Sequence, residues 1–232
     1  LVKTLVVIPA RWKSTRLPGK PLAIIGDKPM IQHTWEKASQ SLADNVIIAT
    51  DDQRIFEAAL NFGAKVMMTS EWGTGTERVI EVQSIMKYDF IINVQGDEPF
   101  IDPLDINTVI ETVKLNSNSV ATLKTNLSEE EYGDPNAVKI ITNPNGSVAM
   151  FTRSSNYTPS EVVFKHIGIY GYSAYVLDRI SEMVPTENSI NNSLEQLTWM
   201  DHNIPIMSGF TTYRSLGIDT PADLERANNF YK

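Results

Sequence analysis

The 232-residue chain has no cysteine, which excludes disulfides and thiolate metal sites and fits a reducing cytoplasm. Histidine is nearly as scarce. His33, His166 and His202 show no H-x-x-x-H spacing, so a zinc centre is not expected. No apolar run approaches the roughly 18–20 residues needed to cross a bilayer. Pro9 and Arg11 interrupt the first apolar run too early for a secretory leader. A cytoplasmic protein without membrane contact is the expectation. Basic residues are outnumbered, 20 Lys and Arg against 28 Asp and Glu, giving a formal net charge of −8. That balance argues against nucleic acid as a partner, since such proteins present a basic face. G-x-G-x-x-G is missing, and Gly19-Lys20 is followed by Pro21 with no glycine at position 14. Dinucleotide-dependent hydride transfer and P-loop phosphotransfer both lose weight.

What the chain does have is a cationic loop behind a buried strand. Leu5 to Ile8 is a continuous apolar run, the pattern of a strand covered on both faces. The residues after Pro9 include Arg11, Lys13, Arg16 and Lys20, clustered in an otherwise acidic chain. Pro18, Gly19 and Pro21 keep this segment out of helix or central strand. A rigid basic loop at a strand end is where an open α/β sheet holds its ligand, and a polyphosphate suits its donors. From charge alone, a solvated basic surface loop is equally compatible.

Further on, periodicity predicts helix over 29–40, strand over 45–50, a helix capped by Asp51-Asp52 and ending near Gly63, and strand over 65–68. A helix from Thr76 to Met86, a strand from Phe90 to Val94 and a helix around 104–114 follow. This βαβαβαβ order implies a parallel sheet with helices on both faces. Val138 to Ile141 and Val148 to Thr152 flank Asn143-Pro144-Asn145-Gly146, a hairpin signal. A strand over 166–172, helices over 174–183 and 193–200, and a capped helix from Thr220-Pro221 complete the pattern. With 42% hydrophobic residues and no convincing linker, one α/β domain over 1–232 is expected: a three-layer, Rossmann-like, mixed and mostly parallel sheet with a β-hairpin excursion.

Gln95-Gly96-Asp97-Glu98-Pro99 places two carboxylates just beyond a buried strand. Magnesium is typically held by one or two carboxylates plus substrate phosphates, and Asp97 is the better candidate ligand. Taken alone, Asp97 also fits a turn or capping role. Asp219, outside the last helix, could supply a second carboxylate or act as a plain cap. Thr74-Gly75-Thr76-Glu77-Arg78 sets hydroxyls at a helix start, where an anion or a base edge could bind. Alternation puts His166, Gly168, Tyr170 and Tyr172 on one unusually polar strand face. By default His166 is a satisfied structural histidine, and Glu195 and Gln196 are the solvated side of their helix.

Together, Ile8-Pro9-Ala10-Arg11, Ser14-Thr15-Arg16-Leu17-Pro18-Gly19-Lys20-Pro21-Leu22, Ala49-Thr50-Asp51-Asp52, Gly75-Thr76-Glu77-Arg78 and Asn93-Val94-Gln95-Gly96-Asp97-Glu98-Pro99 form a specific set. Pro135-Asn136-Ala137-Val138-Lys139, the run 166–172, Ser193-Leu194-Glu195-Gln196-Leu197 and Gly217-Ile218-Asp219-Thr220-Pro221 extend it. The set spans nearly the whole chain. It resembles the sugar nucleotidyltransferases that activate 3-deoxy-2-ulosonic acids with CTP, of the 3-deoxy-manno-octulosonate cytidylyltransferase type that serves lipopolysaccharide synthesis. The resemblance implies that Arg11, Arg16 and Lys20 hold the CTP phosphates and that Thr74, Thr76 and Arg78 help hold the cytidine. It implies Mg²⁺ on Asp97 and Asp219, with Lys20 and Arg11 joining them in catalysis. Gln95, Arg153, His166, Tyr170, Glu195 and Gln196 would line the sugar pocket. It further implies a homodimer formed through an excursion at about 136–165. The family pattern often has arginine after Gly-Tyr and after Leu-Glu-Gln-Leu, where this chain has Ser173 and Thr198, and the stretch between Arg153 and His166 is short. An 8-amino-3,8-dideoxy-octulosonate or another ulosonic acid is therefore an alternative substrate. A non-catalytic nucleotide-sugar sensor is the alternative of another class.

Overall fold

In the computed structural model the first apolar run is strand β1 (Thr4–Ala10), buried at all seven positions. The structure describes residues 2–155, 162–212 and 217–230. After β1 come a 3-10 turn at Lys20–Leu22, a short antiparallel pair, β2 (Ile24–Ile25) and β3 (Lys28–Pro29), and helix α1 (Met30–Ala38). Strand β4 (Asn45–Thr50), helix α2 (Gln53–Asn61), strand β5 (Lys65–Met68), helix α3 (Gly75–Met86), strand β6 (Phe90–Asn93) and helix α4 (Pro103–Leu115) continue the alternation. Then follow β7 (Val120–Asn126), α5 (Glu129–Gly133), the hairpin β8 (Lys139–Thr142) and β9 (Val148–Thr152), and the long strand β10 (Val163–Ser173). Helices α6 (Ala174–Ser181), α7 (Glu187–Asn192) and α8 (Glu195–Asp201), strand β11 (Ile206–Phe210) and helix α9 (Pro221–Asn229) complete the order.

The chain divides into two compact units, residues 1–107 with 215–232, and residues 108–214. In the first, four parallel strands lie in the order β6-β1-β4-β5. From β1 the crossovers step outward to β4 and β5, and then β6 returns to the other side of β1. The direction of winding reverses at β1 and β6, so the loops leaving their carboxyl ends diverge and leave a crevice. Those loops are the cationic segment and Gln95-Gly96-Asp97. The mostly apolar strands follow from this topology, because helices cover both faces of a parallel sheet.

In the second unit β11 pairs parallel with β7, while β10 pairs antiparallel with β7 and β8, and β8 with β9. The expected class, a mixed and mostly parallel α/β fold with a β-hairpin excursion, is what the chain adopts, its parallel strands concentrated in the first unit. The Asn-Pro-Asn-Gly hairpin is present, with Gly146 at φ +86° and its N–H donating to Asn143 O at 2.9 Å. Of the short stretch between Arg153 and His166, residues 156–161 lie outside the described residues. The Asn-rich segment before α8 is itself helical, as α7. Thr186 Oγ1 and Asn188 Nδ2 donate to Asp201 at its base, tertiary contacts that outweigh its weak propensity. Among the described residues no helix is long and apolar enough to cross a membrane.

Candidate active site

The crevice of the first unit is a cavity of about 270 Å³ lined by the loops 9–21, 73–75 and 95–97, with Arg78 and Asp219. Each wall has a local cause. After β1, Gly19 takes the left-handed conformation at φ +67°, and Pro21 starts the 3-10 turn. The turn carries Lys20, and its Nζ lies 2.5 Å from Asp97 Oδ2 and 3.0 Å from Asp219 Oδ1. Arg16 reaches the other oxygen of Asp219 at 3.2 Å. Arg11 donates to Gly73 O at 3.3 Å, joining the first wall to the second.

Asp97 is held by close packing. Thr34 Oγ1 on α1 donates to Gly96 O at 3.2 Å, and a Cβ on Gly96 would stand 3.0 Å from both Ile31 Cδ1 and Pro9 O. Any larger residue would press on both, so glycine lets the loop pass close by. Asp219 is brought from the far end of the sequence by the amide of Ile218, which donates to Asp97 O at 3.0 Å. Behind it Ile218 is fully buried with Ile25, Met30 and Ala227. Thr220 then caps α9 through a reciprocal capping box with Asp223. Asp219 itself is not the cap, so its carboxylate is left for Lys20 and Arg16.

Two carboxylates converge on one ammonium. Burial would lower the pKa of Lys20, but the charges and hydrogen bonds of Asp97 and Asp219 outweigh it and hold the group above its ordinary value. Lys20 therefore stays a cation throughout the neutral range. The second wall is the start of α3, where Thr74 caps the helix and Glu77 closes the box. Gly75, the first residue of this twelve-residue helix, lines the cavity, which puts the positive end of the helix dipole beside it.

Of the other nucleotide-site candidates, Thr76 and Arg78 are both 2% exposed. Arg78 touches the cavity, yet its guanidinium donates to Asp51 Oδ2 (2.8 Å), Thr69 Oγ1 (2.9 Å), Ser70 O (3.1 Å) and Trp72 O (3.4 Å). Its visible work is to hold the 69–73 segment that forms the wall. Gln95 lines the cavity and donates to Asn93 Oδ1 at 3.1 Å.

The remaining sugar-pocket candidates lie in the second unit, where the structure brings some of them together. His166 stacks edge-on against Phe151 (ring centroids 4.9 Å apart) and lies 5.5 Å from Tyr170, which meets Trp199 at 5.1 Å. Alternation along β10 thus gathers His166, Tyr170 and Tyr172 on one side, and Gly168 is exposed. Gln196 on α8 is buried, while Glu195 is exposed. Arg153 donates to the carbonyls of Asn192 (3.2 Å), Pro135 (3.1 Å) and Ser193 (3.4 Å). Ser173 caps α6 and donates to Ser117 O at 2.6 Å, and buried Thr198 donates to Ser189 Oγ at 2.7 Å. Both departures from the family pattern are thus taken up by hydrogen bonds inside this unit.

His166 is buried, and burial pushes its pKa down to about 3. Its Nε2 lies 2.9 Å from Thr122 Oγ1, which also lies 2.9 Å from Ile169 O. The hydroxyl has one proton and a carbonyl can only accept, so the network assigns the ring proton to Nε2. A neutral histidine in the fold and a titrating one in the unfolded chain make stability fall as pH drops from about 6.5 towards about 3. Between pH 7.5 and 5 this group is expected to withdraw about 2 kcal/mol. Urea titrations at both pH values test it, because His166→Gln should shrink the difference by that amount.

A family model described as cytidylyltransferase matches residues 5–206 of this chain. The chain belongs to that family. The match runs through both units of the cytidylyltransferase. It is 40% identical to the 3-deoxy-manno-octulosonate cytidylyltransferase of Parabacteroides distasonis, over 99% of this chain and 98% of that one. It is 42% identical to the enzyme of the same name from Fusobacterium nucleatum, over 100% of this chain and 98% of the other. Among solved structures, a CMP:2-keto-3-deoxy-manno-octonic acid synthetase complexed with CTP superposes with a TM-score of 0.94 at 38% identity, covering 98% of both chains.

Not every part of the site was foreseen. Ser14, Thr15 and Gly73 line the cavity without having been given a role of their own, while Gly75 belongs to the helix start already marked as a candidate site. The packing of Trp12 against Arg54 left no signal in the sequence at all.

Proposed function

We propose that this cytidylyltransferase transfers CMP from CTP to the anomeric hydroxyl of a 3-deoxy-2-ulosonic acid, 3-deoxy-manno-octulosonate first among them, and releases pyrophosphate. The observation that carries the nucleotide half is the meeting of Lys20, Arg16, Asp97 and Asp219 at the switch point of the parallel sheet. Arg11, Arg16 and Lys20 bind the triphosphate by charge-assisted hydrogen bonds. The N-terminus of α3 adds N–H donors, with Thr74 and Thr76 beside it and Arg78 keeping the wall in place.

The donor set suits magnesium: two hard oxygen ligands on separate loops already share one cationic atom, Lys20 Nζ. Magnesium is commonly held by one or two carboxylates, with substrate phosphates and water supplying the remaining oxygens. Asp97 and Asp219 would hold Mg²⁺, which neutralises phosphate charge and acidifies a bound hydroxyl. Transfer asks of the protein chiefly alignment and charge neutralisation. Arg11 and Lys20, fixed on the β1 loop, offset the charge of the departing pyrophosphate. The hydroxyl oxygen forms a bond to the α-phosphorus as the bond to the β-phosphate oxygen breaks.

For the sugar, the names of the relatives support 3-deoxy-manno-octulosonate. Gln95, Arg153, His166, Tyr170, Glu195 and Gln196 remain the proposed contacts. Tyr170 stays a neutral phenol, because burial, seconded by Glu195, raises its pKa far above the ordinary value. Assembly as a homodimer through residues 136–165 belongs to the same proposal. A pyrophosphate-release screen with CTP, Mg²⁺ and several ulosonic acids, an 8-amino form included, tests the substrate. Fastest release with 3-deoxy-manno-octulosonate is expected. A preference for the 8-amino sugar would transfer the assignment to that substrate.

A further inference from the structure

Leu17 of the cationic loop packs against the buried cluster of Ile25, Met30, Ile218 and Ala227, but most of the loop is solvent-facing. Among residues 11–20 only Gly19 is buried, and the side chains of Lys13 and Arg16 are 79% and 62% exposed. Beside the Leu17 anchor and the contacts of Arg11, Arg16 and Lys20 inside the crevice, Trp12 is in place to fix the outer part of the loop before a triphosphate arrives. The amide of Gly19 donates to Trp12 O at 3.3 Å, closing residues 12–19 into a ring. The indole covers the same glycine. A Cβ on Gly19 would stand 2.8, 3.0 and 3.3 Å from Cη2, Cζ2 and Cζ3 of Trp12, distances that place it above the ring face rather than at its edge. Gly19 is thus required twice, for φ +67° and for this contact.

The opposite face of the indole carries Arg54. Its Cζ lies 3.5 Å from the ring centroid. No Arg54 atom is among the three nearest to the hypothetical Cβ, as one would be if both lay on the same face. The guanidinium cannot swing freely. Its Nε and Nη2 donate to the two oxygens of Asp52 at 2.9 and 2.7 Å, and Asp52 caps α2 by accepting from the amide of Arg54 at 2.9 Å. The indole is thereby clamped between the loop's own turn and a helix that follows directly on β4. A second tether joins Lys13 to Glu71. Trp12 lines a separate cavity with Asp51, Asp52, Arg54 and Thr69, not the one that holds Asp97, so it acts through the loop.

We propose that Trp12, gripped between Gly19 and Arg54, is a positioning residue that holds the β1 loop in its phosphate-binding form. The clamp sets Gly19, and Gly19 sets the direction in which the next residue, Lys20, enters the crevice. Loosening it lowers the fraction of molecules whose loop is formed, and apparent affinity for the nucleotide falls by that fraction. The inference rests on the assignment of this loop to the CTP phosphates.

The test is steady-state kinetics of Trp12→Ala, Trp12→Phe and Arg54→Ala, with Lys20→Ala as the control. Trp12→Ala is expected to raise KM for CTP roughly tenfold, with kcat within about threefold and KM for the sugar unchanged. Phenylalanine keeps an aromatic face and should recover most of the loss. Arg54→Ala removes one jaw of the clamp at an exposed position, so it tests the idea without endangering the core, and about a threefold rise is expected. An unchanged CTP KM in both alanine variants, equal losses in kcat and sugar KM, or no rescue by phenylalanine would overturn the positioning role, provided Lys20→Ala still weakens CTP. If Lys20→Ala also leaves CTP unaffected, the assignment of the loop to the phosphates is what fails, and the clamp's role fails with it.

Discussion

Replacing Asp97 with asparagine is expected to lower turnover by roughly a thousandfold while CTP still binds. The amide keeps the shape of the side chain and can still accept a hydrogen bond from Lys20 Nζ, so the loop at Gly96 should not move. What disappears is the negative charge that Lys20 balances at 2.5 Å. The crevice becomes more positive, which favours an anionic triphosphate in the ground state and weakens the hold on a divalent cation. The expected signature is therefore a collapse of kcat with little loss of CTP affinity. Pyrophosphate release read beside calorimetric CTP binding and circular dichroism distinguishes this from misfolding. A variant within tenfold of the wild-type rate would contradict the role given to Asp97.

Arg78→Ala is expected to destabilise the protein by about 3 kcal/mol. Arg78 is 2% exposed and satisfies Asp51, Thr69 and the carbonyls of Ser70 and Trp72 together. Truncation leaves Asp51 without its cation and the buried Thr69 hydroxyl without its donor, while the carbonyls of exposed Ser70 and Trp72 can turn to water. Because Asp51 retains 18% side-chain exposure, water can relieve part of the loss, which sets the value at the lower end of the range for broken buried pairs. Urea denaturation should show the midpoint falling at constant slope. A loss below about 1 kcal/mol would show that the guanidinium network contributes little and would return Arg78 to the ligand's side of the wall.

The first unit was largely legible in the sequence because β1, β4 and β6 are mostly apolar runs and α2 and α3 start on side-chain caps. Thr4–Ala10 and Asn45–Thr50 could hardly be misread. β7 was invisible for the opposite reason. Val-Ala-Thr-Leu-Lys-Thr-Asn offers few large apolar residues, and its buried Thr122 is acceptable only because His166 and the carbonyl of Ile169, more than forty residues away, satisfy it. β11, Ile-Met-Ser-Gly-Phe, has the same handicap, since Gly209 sits where a Cβ would meet Thr108 at 2.7 Å. Helix α5 did carry a signal, the capping box Ser128-x-x-Glu131, but it is too short for periodicity to register.

At the site, the charged residues could be named from the chain, yet their division of labour could not. Lys20, Asp97 and Asp219 are separated by up to 199 positions and meet because β6 returns beside β1 and Ile218 ties the segment before α9 to Asp97. Arg78 looks like a ligand contact in sequence, while in the fold its donors serve residues 51, 69, 70 and 72. Asp52 reads correctly as a helix cap, but nothing local says that it also aims Arg54 at Trp12.

The most direct measurement is ³¹P NMR of CTP and 3-deoxy-manno-octulosonate with the protein and Mg²⁺. The triphosphate resonances should give way to one phosphodiester and one pyrophosphate in equal amounts, with no change when the sugar or the metal is withheld. A triphosphate that stays intact with sugar, metal and protein all present, while calorimetry shows CTP bound, would mean that the chain holds the nucleotide without transferring it.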